Sequence, residues 1–210
     1  MSHPRPRIAV IVGSARPVRI GDQLGASIAA VIDDAVDADI RVLDLRDIAL
    51  PMLDEPVMAA LGQYAPDHTK RWAAEIADTD AVVFLTPQYN GGYPASLKNA
   101  IDYLGAEWRG RPGAIVSYGG QGGPLSAAQL TGVLQFIGID LAETQPQLVI
   151  ERTDYTPDWH LGDPDAVVAR DTPALQAMAA ELVAKVQDAA NAQDAAGVQD
   201  AAKEAVVAPA

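Results

Sequence analysis

Pro87, Gln88, Tyr89, Asn90, Gly91 and Gly92 put a rigid ring, a phenol, two amide side chains and two glycines between an apolar run, Ala81 to Leu85, and an amphipathic segment beginning at Pro94. The pattern predicts a strand that ends in a loop and restarts as a helix. Such a loop brings main-chain amides and one aromatic face close to a flat, polar ligand. In an open α/β sheet, ligands bind at this kind of strand end.

A second loop of this kind follows Arg7 to Val12 and runs Gly13-Ser14-Ala15-Arg16-Pro17-Val18-Arg19-Ile20-Gly21-Asp22-Gln23. Gly13 permits a tight turn, Ser14 offers a hydroxyl, and the free amides of the next helix carry partial positive charge. Arg16 and Arg19 add planar donor forks that match phosphate. The ligand end expected here is anionic. A third loop, Ser117-Tyr118-Gly119-Gly120-Gln121-Gly122-Gly123-Pro124, follows Ala114 to Val116 and leaves so little side-chain bulk that a flat ring can lie against its backbone.

The elements that must position these loops are also legible. Apolar β-rich runs predict five strands: Ile8 to Val12, Ile40 to Leu43, Ala81 to Leu85, Ala114 to Ser117 and Leu148 to Ile150. Helical spacing lies between them, at about Ile20 to Ala35, Asp67 to Ala77, Pro94 to Leu104 and Leu125 to Phe136, with a last helical region from Pro164. Strict alternation implies a parallel sheet with helices on both faces. Alternation does not give the strand order.

With the elements in place, the three loops resemble the NADPH-dependent FMN reductase family of the flavodoxin-like fold. The resemblance rests on Gly13 to Arg16, on Pro87 to Asn90 with Pro94 to Asp102, and on the Gly-rich run Ser117 to Gly123. It implies a three-layer α/β sandwich with a five-stranded parallel sheet in the order 2-1-3-4-5, which sets these loops side by side. It also implies bound FMN, with NAD(P)H delivering a hydride to the flavin and an acceptor such as free FMN or a quinone taking the electrons in a ping-pong cycle. Ser14, Arg16 and Gln23 would hold the phosphate, with Gly13, Arg19, Ile20 and Gly21 shaping its turn. Pro87, Gln88, Tyr89, Asn90 and Gly91 would meet the ring edge, and Ser117, Tyr118, Gly119, Gly120 and Gln121 the pyrimidine end. No residue is named as catalytic, because the flavin carries the chemistry. The family resemblance further implies a homodimer or homotetramer. The alternatives are an FMN electron carrier without turnover, which the arginines of the first loop disfavour, and a flavin-binding module that has lost activity.

Composition narrows the field. The 210 residues suit one α/β domain, here 1–186, followed by a low-complexity tail, 187–210, in which Gln-Asp-Ala-Ala recurs every six residues. A net charge of −13 argues against nucleic acid and anionic membranes as partners. The absence of cysteine excludes disulfides, thiol nucleophiles and cysteine-ligated clusters. No apolar run approaches the roughly 20 residues of a membrane span, and Met1 to Pro6 lacks a signal-peptide core, so a cytoplasmic location is expected. Ser14 and Ser117 lack a Gly-x-Ser-x-Gly setting, and neither a Walker loop nor Gly-x-Gly-x-x-Gly follows the first strand.

The remaining segments carry less. Leu45 to Pro66 is expected to be a long loop with a short helical piece, covering a site, meeting a partner chain or packing on itself. Trp72 and Ile76 read as a core stripe, with His68 beside them and not catalytic. Glu151 to Asp163 carries Tyr155, Trp159 and His160 as a substrate-side wall or a subunit contact, and His160 is not read as a metal ligand. Leu175, Met178, Leu182 and Val186 are expected to pack a last helix on the sheet.

Overall fold

The structure is a computed structural model that describes residues 5–207, with side chains through 192. Its parallel strands are β1 (Arg7–Val12), β2 (Asp39–Asp44), β3 (Ala81–Pro87), β4 (Pro112–Gly119), β5 (Asp140–Leu141) and β6 (Gln147–Val149). The order is β2-β1-β3-β4-β5, as expected for the flavodoxin-like arrangement, with β6 also paired to β4. The helices are α1 (Gly21–Ala35), α2 (Leu45–Ile48), α3 (Asp67–Ala77), α4 (Ala95–Asp102), α5 (Pro124–Phe136), α6 (Pro164–Ala169) and α7 (Thr172–Val207).

The fifth strand differs from the single run expected at Leu148 to Ile150. Its place is filled by two short strands, β5 on the first residues of β4 and β6 on the last. The interruption has a local cause. The backbone amides of Glu143 and Thr144 donate to the Glu181 carboxylate of α7 at 2.8 and 3.1 Å, and Pro146 has no N–H to give. After Ala142, whose N–H still donates to the Gly113 carbonyl of β4 at 2.8 Å, the ladder therefore loses the donors of residues 143, 144 and 146.

The period-2 geometry of the buried strands divides the core into two layers. Ile8, Val10 and Val12 of β1, with Val83, Leu85 and Val116, face Leu24, Ile28 and Ile32 of α1 and Leu175, Met178 and Leu182 of α7. Ala9 and Ile11, with Val82, Phe84 and Ile115, face Trp72 and Ile76 of α3, Leu97 and Ile101 of α4, and Leu130 and Leu134 of α5. The stripe expected on the last helix packs as read, with Val186 at its partly buried end. Helix α7 passes residue 187 without a break; the repeats from residue 193 lie beyond the described side chains.

The long segment after β2 contains α2 and a 3-10 turn, Ala59–Leu61. Asn99 of α4 fixes its start by accepting from Leu53 N–H at 2.9 Å and donating to the Pro51 carbonyl at 2.7 Å. Tyr103 donates to Asp54, which also pairs with His68 at 2.9 Å. These ties hold the backbone while leaving Met52, Leu53, Met58 and Leu61 exposed.

Candidate functional site: a cleft at the carboxyl edge of the sheet

The loops after β1, β3 and β4 meet around a cleft of about 520 Å³. Its walls are Arg16, Val18, Arg19 and Ile20 from the first loop, Pro87, Gln88 and Tyr89 from the second, and Tyr118, Gly119 and Gly120 from the third. Nine of the residues expected from the sequence thus share one space: Arg16, Arg19, Ile20, Pro87, Gln88, Tyr89, Tyr118, Gly119 and Gly120.

The first loop is fixed from three sides. Gly13 N–H donates to the Leu85 carbonyl at 2.9 Å, and the Ser96 hydroxyl donates to the Gly13 carbonyl at 2.6 Å. Arg19, with a side chain only 5% exposed, donates to the Ser14 carbonyl at 2.5 Å and grips both oxygens of Asp44, one of them at 2.7 Å. Its two Nη atoms are thereby committed to shaping the loop, while its buried Nε has no hydrogen-bond partner among the described residues. Arg16 has no such carboxylate partner among the described residues; its Cζ lies 5.8 Å from the centre of the Tyr89 ring, joining the first loop to the second.

Beneath the loop, Ser14 is 1% exposed and its Oγ, beside the Tyr118 hydroxyl, lacks a well-aligned hydrogen-bond partner among the described residues. The N-cap of α1, Ile20, supplies no capping side chain, so the first amides of a 15-residue helix lack that partner. A Cβ on Gly21 would lie 2.3 Å from Ser14 Oγ and 2.7 Å from the Tyr118 hydroxyl. Only glycine leaves that cradle open. An under-satisfied hydroxyl, open helix amides and an arginine lying over an aromatic ring are the donor set that a phosphate monoester takes up.

The second loop closes as a two-residue hairpin turn. Tyr89 and Gly92 exchange backbone hydrogen bonds at 2.8 and 3.0 Å, with Asn90 at φ 50° and Gly91 at φ 84°. Asn-Gly is the sequence that favours this type I′ turn, because both central residues need positive φ. Asn90 and Gly91 form the tip of the turn and lie outside the cleft lining. The Gln88 side chain accepts from Leu125 N–H at 2.9 Å, so the start of α5 holds this loop in place.

Other expected residues lie elsewhere. The Gln23 amide brackets Leu161, donating to its carbonyl at 3.1 Å and accepting from its N–H at 2.9 Å. Ser117 is buried, its hydroxyl donating to the Gly122 carbonyl at 2.6 Å. Gln121 is exposed and outside the cleft lining. His68 and His160 do not line the cleft, and among the described residues no cluster of three potential metal ligands occurs.

A further wall was only partly foreseen: Tyr155, Asp158 and Trp159 line the same cleft. Their aromatic content within an acidic, proline-bearing stretch was the available signal. Burial raises the pKa values of Tyr89, Tyr118 and Tyr155, although Arg16 pulls against it at Tyr89 and Tyr155. All three phenols therefore stay neutral near pH 7 and set no negative charge against an anionic ligand.

Comparison with known proteins agrees with this geometry. An NAD(P)H-dependent FMN reductase of Schizosaccharomyces pombe is 44% identical over 149 residues, covering 70% of this chain and 74% of the relative. A 2-hydroxy-1,4-benzoquinone reductase of a Burkholderia species is 30% identical over 156 residues, covering 70% and 80%. Among solved structures, the flavoenzyme NAD(P)H:(acceptor) oxidoreductase FerB of Paracoccus denitrificans superposes with a TM-score of 0.63 at 25% identity, over 87% of this chain and 98% of that one. The family described as NADPH-dependent FMN reductase matches residues 6–151. That span includes all three loops, and the chain belongs to the NADPH-dependent FMN reductase family.

Proposed function

We propose that this protein is an NAD(P)H-dependent flavin oxidoreductase that holds FMN in the cleft and delivers electrons to quinones or related small acceptors. The observation that carries the reading is the buried Ser14 hydroxyl, short of a well-aligned partner among the described residues, beneath the open amides of α1, with Arg16 over the Tyr89 ring beside it. Bound FMN supplies hydride acceptance from NAD(P)H and two-electron release to the acceptor.

The residues of the chain have binding and orienting roles. Ser14 and the first amides of α1 take the phosphate, and Arg16 adds a charge-assisted donor. Arg19 keeps the loop in its binding shape through the Ser14 carbonyl. Tyr89 and the Gly119–Gly120 backbone meet the ring, and main-chain donors there offset charge on the reduced cofactor. No side chain is needed as a proton donor, so none is assigned as catalytic. Relatives named as reductases weigh against the carrier without turnover.

We also infer a homodimer or homotetramer. Its support is the run of exposed apolar side chains at Met52, Leu53, Met58 and Leu61, on a backbone held by Asn99 and Tyr103. Light scattering on wild type and Met58→Asp tests this, with a fall in mass expected for the variant. A cytoplasmic location fits the use of NAD(P)H as reductant.

Titration of the flavin-free protein with FMN and with riboflavin tests the site. FMN is expected to bind at least tenfold more tightly, since only FMN engages the donors around Ser14. Equal affinities would remove the phosphate assignment.

A further inference from the structure

Tyr155, Asp158 and Trp159 form a wall of the cleft that none of the three loops supplies. They come from the segment between β6 and α6, beyond residue 151, where the family match ends. This wall is therefore a place where the chain can differ from relatives that share the cofactor loops.

Trp159 sits in it with φ 66°, a left-handed backbone that a bulky side chain disfavours because its Cβ crowds the neighbouring carbonyl. The surrounding turn imposes this conformation. Tyr155 pairs with Leu161, Thr156 N–H donates to the His160 carbonyl at 2.8 Å, and Trp159 N–H donates to the Thr156 carbonyl at 3.0 Å. Gln23 then fastens Leu161 to α1 through two hydrogen bonds. Strain held by so many contacts is the kind retained at ligand sites.

The indole gains little from the fold in return. It is 65% exposed, whereas Trp72 and Trp108 are 1% and 0% exposed. Its aromatic neighbour is Tyr155, edge-on at a centroid distance of 5.7 Å. A broad apolar face is thus left available at the cleft. Beside it, Thr156 donates to the Asp158 carboxylate at 2.5 Å and holds its pKa below the ordinary value, so the wall is anionic at neutral pH. An aromatic face beside a fixed negative charge, on a chain of net charge −13, favours a neutral planar ring over an anion.

We propose that Trp159 is a specificity-determining residue for the electron acceptor, stacking a neutral quinone ring, and that Gln23 is the positioning residue that sets its turn. The proposal rests on the flavin reductase reading and names the acceptor that reading favours. The overall step is balanced: one NAD(P)H and one proton reduce one quinone to a hydroquinone, leaving NAD(P)⁺, with both electrons passing through FMN.

The test uses the full-length, FMN-loaded protein as wild type, Trp159→Ala and Trp159→Phe. Acceptor kinetics are measured with a neutral naphthoquinone and with ferricyanide, an anion without an aromatic face. Calorimetry gives the naphthoquinone Kd on the oxidised protein, and a separate titration gives the FMN Kd. Trp159→Ala is expected to raise the quinone KM and Kd about five- to tenfold, with ferricyanide kinetics, flavin reduction by NAD(P)H and FMN Kd unchanged. Trp159→Phe should restore most of the quinone affinity, and Gln23→Leu should raise the quinone KM more than the ferricyanide KM.

Unchanged quinone KM and Kd in Trp159→Ala overturn the proposal, as does an equal loss with ferricyanide. A weakened FMN Kd as the main effect also overturns it, because the wall would then hold the cofactor. Should the alanine variant misfold, Trp159→Gly accepts the left-handed backbone and allows the same measurements. Failure of the underlying reading is distinct: wild-type protein would then not be reduced by NAD(P)H at all.

Discussion

Arg19 and Asp44 lock the loop after β1 to the carboxyl end of β2, with the guanidinium spanning both carboxylate oxygens and also holding the Ser14 carbonyl. The Arg19 side chain is 5% exposed and that of Asp44 14%, so each needs the other to compensate its lost hydration. The pair sets the shape of the phosphate loop, and Arg16 and Arg19 both line the cleft.

Asp44→Ala should strand a buried cation and destabilise the protein by about 3–5 kcal/mol. Urea unfolding measures the loss. Flavin affinity should fall with it, since the Ser14 carbonyl loses its fixed donor geometry.

Arg16→Ala should behave in the opposite way. Arg16 is exposed and, among the described residues, without a carboxylate partner, so stability should stay within about 0.5 kcal/mol of wild type. FMN affinity should drop about tenfold while riboflavin affinity is unchanged, as read by quenching of flavin fluorescence.

Gly21→Ala tests the cradle under the phosphate. The new methyl would lie 2.3 Å from Ser14 Oγ and 2.7 Å from the Tyr118 hydroxyl, so one of these side chains must move. The variant should fold, because a hydroxyl can be displaced at moderate cost, yet bind FMN more weakly than wild type. Wild-type affinity would show that Ser14 does not meet the ligand.

The base of the aromatic wall should respond to pH. Arg170 donates to both oxygens of Asp154, at 2.8 and 2.5 Å, and this hydrogen bonding lowers the Asp154 pKa against the opposing effect of burial. A carboxylate with a lowered folded-state pKa adds stability above its unfolded value, about 4, and that stability is lost as pH falls through the folded value. The stability gap between wild type and Arg170→Met should therefore be constant from about pH 5 to 8 and close below about pH 4. Thermal unfolding across that range reads it.

The strand and helix pattern was legible because the buried strands are continuous apolar runs and the helices repeat at i, i+4, as with Leu24, Ile28 and Ile32. The split of the last strand was not. It depends on Glu181, distant in sequence, taking the amides of Glu143 and Thr144. Two site residues illustrate the same limit. Arg16 and Arg19 look alike as phosphate donors until Asp44 is seen to hold Arg19. Gln23 is expected at the phosphate from the sequence, whereas the structure bonds its amide to Leu161, on a segment far along the chain. The Asn90-Gly91 turn, by contrast, is a local signal that the sequence states openly.

Anaerobic addition of NADPH, and separately NADH, to the purified FMN-loaded protein tests the central claim most directly. The visible flavin band is expected to bleach and to return when a neutral quinone is added. A protein that binds no FMN, or whose bound flavin stays oxidised with both nucleotides, would contradict it.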